Sequence, residues 1–333
     1  MQPPVSPTRI PYSIAPMMDW SDRYYRYFMR GITRRTLLYT EMISTAAIVH
    51  GDRSRLLDFD PVEHPLSLQI GGSDVVEIAQ AVAAAESWDY DEINLNVGCP
   101  SDRVQERGLG ACLMATPDLV ARMVEAMKGQ TAKPVTVKHR IGIDHMDRYE
   151  DMHNFVRIVR SAGPARFTVH ARIAWLEGLS PKENRTVPPL RYEDVYRLKE
   201  DFPELDIEIN GGIRSLDAAD RHLRSVDRVM IGRAAYETPW VMSTADSRIA
   251  GVPPPSDCGR VAVERMIPYL EECYARGVPS RKILRHMLGM FSGLPGARLW
   301  RQGLSGKLPD NGAPLLRSVI ERMPRETMET PPQ

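Results

Sequence analysis

The chain has 333 residues, 43% hydrophobic and 26% charged, with 43 basic and 43 acidic side chains in balance. That length admits one large domain or two unequal ones, and the even charge points to no particular partner. No apolar run approaches the ~20 residues of a membrane helix, and the proline-rich start, MQPPVSPTRIPYSIAP, lacks the apolar centre of a signal peptide. Four cysteines, Cys99, Cys112, Cys258 and Cys273, form no C-x-x-C pair or other zinc spacing; no metal site is expected, and a reducing cytoplasm is.

Eight short β-branched or apolar runs come first in chain order. They are YSIAPM (12–17), LLYTEM (37–42), LSLQI (66–70), EINLNV (92–97), PVTVKH (134–139), RFTVHA (166–171), DIEIN (206–210) and RVMIG (228–232). Each gap is long enough for a helix. TPDLVARMVEAMKG carries Thr116 as N-cap, Pro117 in the first turn, Gly129 as a stop, and Leu119, Met123 and Met127 on one face. SLDAADRHLRSV repeats the pattern, with Ser215 as cap and Leu216, Ala219 and Leu223 facing inward. Eight strands alternating with helices predict a (β/α)8 TIM barrel. A doubly wound open sheet would use fewer strands and a G-x-G-x-x-G turn, and no such turn follows the first strand.

In such a barrel the chemistry sits at the carboxyl ends of the strands. Those ends read Met17 and Met18, Glu41, Gln69, Asn96 with Cys99, Lys138 with Arg140, His170 with Arg172, Asn210, and Gly232 with Arg233. The seventh and eighth loops, NGGIRS (210–215) and GRAAY (232–236), are where this fold holds phosphate. Paired glycines let backbone N–H groups approach an anion, and Arg233 adds a charge-assisted donor. Lys138 has two functional readings, a Schiff-base amine or a counter-charge to an anionic cofactor, beside a plain one as a lysine reaching from a strand end to solvent. His170 is read as a ligand contact beside the phosphate loops.

Cys99 lies between Gly98 and Pro100, which restrict its backbone, and a loop with Arg103 and Arg107 follows. It reads as a buried thiol, a nucleophile or an acid. A nucleophile normally needs a histidine base, and none is close in this loop; a neutral thiol can give a proton to a carbon that turns basic. Cys112 is assigned to packing, and His139 to no function.

After Trp240 the strand signal ends. STADSRIAGVPPPSDCGR reads as a linker, and VAVERMIPYLEECYARG and RKILRHMLGMFSGL have helical apolar spacing. The expected organisation is a catalytic barrel over 1–245, a linker over 246–258 and a small all-helical domain over 259–333. From Arg276 to Pro309 there are seven Lys or Arg residues plus His286, and no acid. GARLWRQGL sets Arg298 and Arg301 around Trp300, which reads as a core anchor or as a base-stacking platform.

Jointly, APMMDWSDRYYRYFMR, LYTEM, LQIGGSD, YDEINLNVGCPSDRVQ, GACLM, PVTVKHRIGID, HARIAWLEGLSPKENR, INGGIRS and MIGRAAYETPW resemble the tRNA-dihydrouridine synthases, specifically their A branch. The resemblance is almost continuous over the barrel and looser over the tail. It implies an FMN barrel that reduces uridine in the tRNA D-loop, at positions 20/20a, to 5,6-dihydrouridine, with NADPH as electron donor. Asn210, Gly211, Gly212, Gly232 and Arg233 would then hold the FMN phosphate, and Pro16, Met17 and Met18 would line the isoalloxazine. Gln69 would bond its pyrimidine edge, Lys138 would stand near N1 and O2, and His170 would help hold the cofactor.

By the same resemblance Cys99 is the acid that protonates C5 of uracil once hydride from the flavin has reached C6. A free thiol titrates near ~8.5 and is mostly protonated at neutral pH, which suits a donor. Asn96 would position the flipped base. Glu183 and Arg185, with Lys182, in the sixth loop, and Arg298 and Arg301 in the tail, would orient the tRNA. The implied partner is tRNA, bound by a cytoplasmic monomer.

Two other enzymes share parts of the pattern. A dihydroorotate dehydrogenase-like FMN barrel has no need of a basic helical tail, and a Schiff-base aldolase would use Lys138 without flavin. Intact Cys99, Lys138 and His170 argue against an RNA-binding protein with a vestigial barrel.

Overall fold

The computed structural model describes residues 10–101, 108–253 and 258–329. Arg103 and Arg107 of the loop after Cys99, and Pro254 and Pro255 of the expected linker, lie outside the described residues. Among the described residues nine strands form one sheet: β1 (Tyr12–Ile14), β2 (Leu38–Tyr39), β3 (Ile43–Ser44), β4 (Leu66–Gly71), β5 (Glu92–Val97), β6 (Val135–Arg140), β7 (Arg166–His170), β8 (Ile207–Asn210) and β9 (Arg228–Ile231). Their order is β1-β9-β8-β7-β6-β5-β4-β2, with β3 also on β4, and every pairing is parallel. A bridge between Ser13 and Leu37 joins β1 to the start of β2 and closes the barrel.

Of the second expected strand, LLYTEM (37–42), only Leu38–Tyr39 is strand, as β2, and β3 begins just after the run, at Ile43. Between them Thr40 Oγ1 accepts the backbone N–H of Gln69 at 3.0 Å and donates to the Glu41 carbonyl at 2.7 Å. A side-chain hydroxyl thus takes the place of a ladder acceptor, the competition that makes threonine a frequent strand end.

Alternation along the strands decides what faces where. Ile93, Leu95 and Val97 of β5, Val135 and Val137 of β6, and Ile207 and Ile209 of β8 are buried on the apolar side of the sheet, packed in the main core cluster. The polar partners point into the barrel. There Arg166 Nη2 lies 2.6 Å from Glu92 Oε2, and Arg166 Nε 3.5 Å from Glu208 Oε2. Hydroxyls of Ser67 and Thr136 donate to Glu92, and those of Ser13 and Thr168 to Glu208. Each buried charge is paired and further hydrogen-bonded, the condition under which such a triad is tolerated.

The helix Pro117–Lys128 begins and ends as its sequence predicts, with Val120, Met123, Val124 and Met127 buried. Its Thr116 makes no capping bond; the hydroxyl turns back to the Leu113 carbonyl. Ser215 does cap the helix Leu216–His222, through the Ala218 amide. The expected linker starts as a helix, Ala245–Ala250, whose Asp246 accepts from the Thr33 hydroxyl and the amides of Arg34 and Arg35.

Of the later helices, Met266–Ala275 packs on Ala313–Glu321, which in turn packs on Ala297–Ser305, and Cys258–Glu264 packs against the barrel helix Arg23–Ile32. Gly31 permits this: a Cβ there would stand 2.8 Å from the Ala262 carbonyl oxygen. Tyr27 stacks on Tyr269 at 3.7 Å, and Arg265 donates to the Arg30 carbonyl. Buried apolar residues of the tail belong to the same main core cluster as those of the barrel's outer layer.

Candidate active site

The structure brings Gln69, Asn96, Cys99, Lys138, His170 and Asn210 to one end of the barrel, on inward positions of neighbouring strands or just beyond them. Register sets Asn96 beside Lys138, and His170 beside Asn210. A ladder of side-chain amides climbs to the thiol. Thr136 Oγ1 accepts from Asn94, Asn94 Oδ1 accepts from Gln69, and Gln69 Oε1 accepts from Asn96 at 2.9 Å. Asn96 Oδ1 in turn accepts the amides of Gly98 and Cys99 at 3.1 and 3.0 Å, while the Cys99 carbonyl accepts from Ala111. Cys99 is a free, half-buried thiol with its backbone held on both sides. Cys112, half-buried nearby, has its thiol pushed up by burial.

Lys138 is half-buried, its Nζ 3.4 Å from Asn210 Oδ1. Burial and then the neighbouring Arg140 charge bring it down to about 8. Burial also holds His170 well below the usual imidazole range, reinforced by Arg140, Lys138, Arg172 and Arg233. His170 is therefore neutral in a ring of cations. Gly211 and Gly212 have φ of +121° and +69°. A Cβ on Gly211 would meet His170 Cδ2 at 2.7 Å, and one on Gly212 would meet Leu190 at 2.5 Å, so bare backbone is required at both places. Gly232 precedes Arg233, whose Nη2 donates to the Arg185 carbonyl at 3.0 Å.

Arg140 was legible only as a rim residue, and its role emerges here. It is buried and donates to the carbonyls of Gly98, Ile173 and Asn184 at 2.9, 2.9 and 3.0 Å. It thereby ties the Cys99 loop to the sixth loop. Within that loop, buried Asn184 bonds both the amide and the carbonyl of Trp175, which stands 40% exposed. Glu183 folds back onto the amide and hydroxyl of Ser180, and Lys182, Glu183 and Arg185 are exposed. His139, by contrast, points outward, packed against Phe155 and Phe167 and pushed down to about 4 by burial.

The first loop carries Pro16 and Met17, half-buried, and Met18, 56% exposed. Trp20 stacks on Tyr236 at 4.3 Å, and Asp22 meets His286 and Arg285 of the tail. This anchors the tail beside the barrel mouth. Arg298 and Arg301 are exposed on the helix Ala297–Ser305, while Trp300 is wholly buried. A cavity of about 450 Å³ opens at the other end of the barrel, among Ile10, Lys199, Asp206 and Asp227, and holds none of the rim residues. Among the described residues no cluster of His, Cys, Asp or Glu is placed to hold a metal, and no helix is long and apolar enough to cross a membrane.

A closed parallel barrel whose carboxyl-end mouth gathers a fixed thiol, cations with no carboxylate partner among the described residues and left-handed glycines has the layout of an α/β-barrel enzyme. The chain belongs to the dihydrouridine synthase (Dus) family, whose model matches residues 13–317. It is 56% identical to the tRNA-dihydrouridine(20/20a) synthase of Synechocystis sp., over 93% of this chain and 94% of that one. The synthases of the same name from Shewanella oneidensis and Pseudomonas aeruginosa are 52% and 53% identical, over 91% and 88% of this chain and 90% and 89% of theirs. The barrel fold alone is shared with a 2-naphthoyl-CoA reductase in complex with 2-naphthoyl-CoA, with a TM-score of 0.53 at 9% identity over 74% of this chain. This chain spans 51% of that protein.

Proposed function

We propose that this protein reduces uridine at positions 20/20a of tRNA to 5,6-dihydrouridine, with FMN at the barrel mouth, NADPH as reductant and Cys99 as proton donor. The observation that carries the reading is the joint placement of a backbone-fixed thiol and a cationic, glycine-lined cradle at one barrel mouth. The residues suit an anionic flavin nucleotide. Gly211 and Gly212 leave backbone open where a Cβ would clash, and Lys138 and Arg233 bring charge with no carboxylate paired to either among the described residues. Gly211, Gly212, Gly232, Asn210 and Arg233 would hold the phosphate, Gln69 and Lys138 the pyrimidine edge, Pro16, Met17 and Met18 one flank, and His170 the turn between.

When bound, the flavin supplies two-electron reducing power for C6 of uracil. Everything else falls to the chain. Lys138 offsets negative charge, and neutral His170 offers a hydrogen bond without competing for a proton. Asn96 keeps the Cys99 loop in place, and its second amide hydrogen is left for a base. Cys99 gives its proton to C5. Glu183 and Arg185, with Lys182, at the sixth loop, and Arg298 and Arg301 in the tail, would orient the tRNA.

The test is direct. Purified protein should be yellow, and with NADPH and an unmodified tRNA transcript it should yield dihydrouridine at 20/20a by chemical mapping. Colourless protein that cannot be reconstituted with FMN, or dihydrouridine at other positions alone, would overturn the corresponding part of the reading.

A further inference from the structure

Arg140, like Arg30, is a buried cation whose described hydrogen-bond partners are all neutral, and it alone of the two lies at the barrel mouth. Its three hydrogen bonds go to backbone carbonyls, and no described carboxylate pairs with it. One of those carbonyls, Gly98, belongs to the peptide that leads into Cys99. We propose that Arg140 is a positioning residue for the proton donor: it locks the Cys99 loop to the sixth loop and places the positive charge that stabilises the thiolate left behind. This rests on the reading of Cys99 as the acid. In that step the Cys99 S–H bond breaks and a C–H bond forms at C5 of the base. The S–H electron pair stays on sulfur, the new bond takes the electron pair of the base, and solvent later returns a proton to sulfur.

The surroundings make the charge effective. The ionisable side chains that bear on Cys99 are Lys138 and Arg140 from β6, Arg185 from the sixth loop and Cys112 from the turn Gly110–Ala115, with no described carboxylate among them. Arg140 itself is brought down by burial to about 10, countered first by Cys99 and lowered further by Arg185 and Arg172, so it remains charged through neutral pH. A fixed charge beside a half-buried group is screened less than one in open water. A planar guanidinium also reaches separated carbonyls from different nitrogens of a fixed fork, whereas an ammonium must meet them all from one atom.

The experiment follows alkylation of Cys99 by iodoacetamide against pH in the flavin-loaded enzyme, reading the Cys99 peptide by mass spectrometry. Arg140→Gln should move the midpoint up by about one unit, a tenfold fall in thiolate at neutral pH. Arg140→Lys, which keeps a cation, should leave the midpoint near wild type yet lower kcat for tRNA about tenfold without raising KM. An unchanged midpoint in folded Arg140→Gln overturns the electrostatic role, and unchanged kcat in Arg140→Lys overturns the locking role. Should Arg140→Gln not fold by thermal melt, the kcat-to-KM split of Arg140→Lys decides. Normal tRNA turnover by Cys99→Ala would remove the acid reading itself, a separate outcome from any shift in midpoint.

Discussion

Asn96 accepts the backbone amide of Cys99 at 3.0 Å while donating to Gln69 at 2.9 Å, so one side chain joins the thiol loop to the barrel's interior amide ladder. Asn96→Asp keeps the acceptor for Gly98 and Cys99 and loses the donor to Gln69. Asn96→Leu loses both and leaves two amides without a partner, at about 1–3 kcal/mol each where water is excluded. The Leu variant should therefore slow tRNA-dependent flavin reoxidation by roughly 10²-fold, within the range of a lost acid, and Asp by less. Stopped-flow reoxidation with tRNA checks the order; equal rates for Leu and wild type would detach Asn96 from the thiol.

Lys138 gives a pH signature. Its folded value is lowered from 10.5 to about 8, chiefly by burial. Between those values the unfolded chain binds the proton more readily, so stability rises with pH across the window and the penalty is fully present below it. In cofactor-free protein, Lys138→Met should remove that slope and raise stability near pH 7 by about 1–3 kcal/mol. It should also weaken FMN retention. Thermal melts of both proteins from pH 7 to 11 test this; parallel profiles would mean the amine is solvated.

Asp22 works in the opposite direction. Burial pushes its carboxyl up, but the His286 hydrogen bond and charge, the Tyr25 amide and Arg285 outweigh burial and hold it below its ordinary 3.8. A depressed carboxylate contributes stability that is present above the ordinary value and disappears as pH falls through the folded one. Asp22→Asn should thus cost about 1–3 kcal/mol at neutral pH, and the gap from wild type should close in acid. Urea midpoints at pH 7 and pH 3 measure both. No gap at either pH would show that the cap on the helix Arg23–Ile32, which asparagine provides as well as Asp22, is all that matters.

Much of the barrel was legible because its apolar residues alternate with polar ones that line the interior, as Ile93, Leu95 and Val97 do with Asn94 and Asn96. The partners of the interior charges were not, since Glu92 finds Arg166 and Glu208 finds Ser13 only after closure. The helix Ala245–Ala250 was missed for the same reason: its Asp246 is satisfied by residues 33–35, far earlier in the chain. At the mouth, residue type revealed Lys138, His170 and Cys99, whereas Arg140 looked like one more rim cation. Its meaning lies in three carbonyls, and carbonyls leave no mark in a sequence.

The tail separates two neighbours on one helix. Trp300 is buried, its indole N–H donating to the Met287 carbonyl at 2.7 Å and its ring edge-on to Phe291. It is a core anchor, so Trp300→Ala should cost about 3–5 kcal/mol and act through folding. Arg298 and Arg301 are exposed and three residues apart, on nearly the same face. If they meet tRNA phosphates, the double change Arg298→Ala and Arg301→Ala should leave the melting temperature nearly unmoved and raise the KM for tRNA. It should also flatten the salt dependence of binding by about one or two contacts' worth of slope. Filter binding across a salt series gives the slope. An unaltered slope in the double variant would make the acid-free stretch a solvated surface and leave tRNA orientation to Lys182, Glu183 and Arg185 at the barrel mouth.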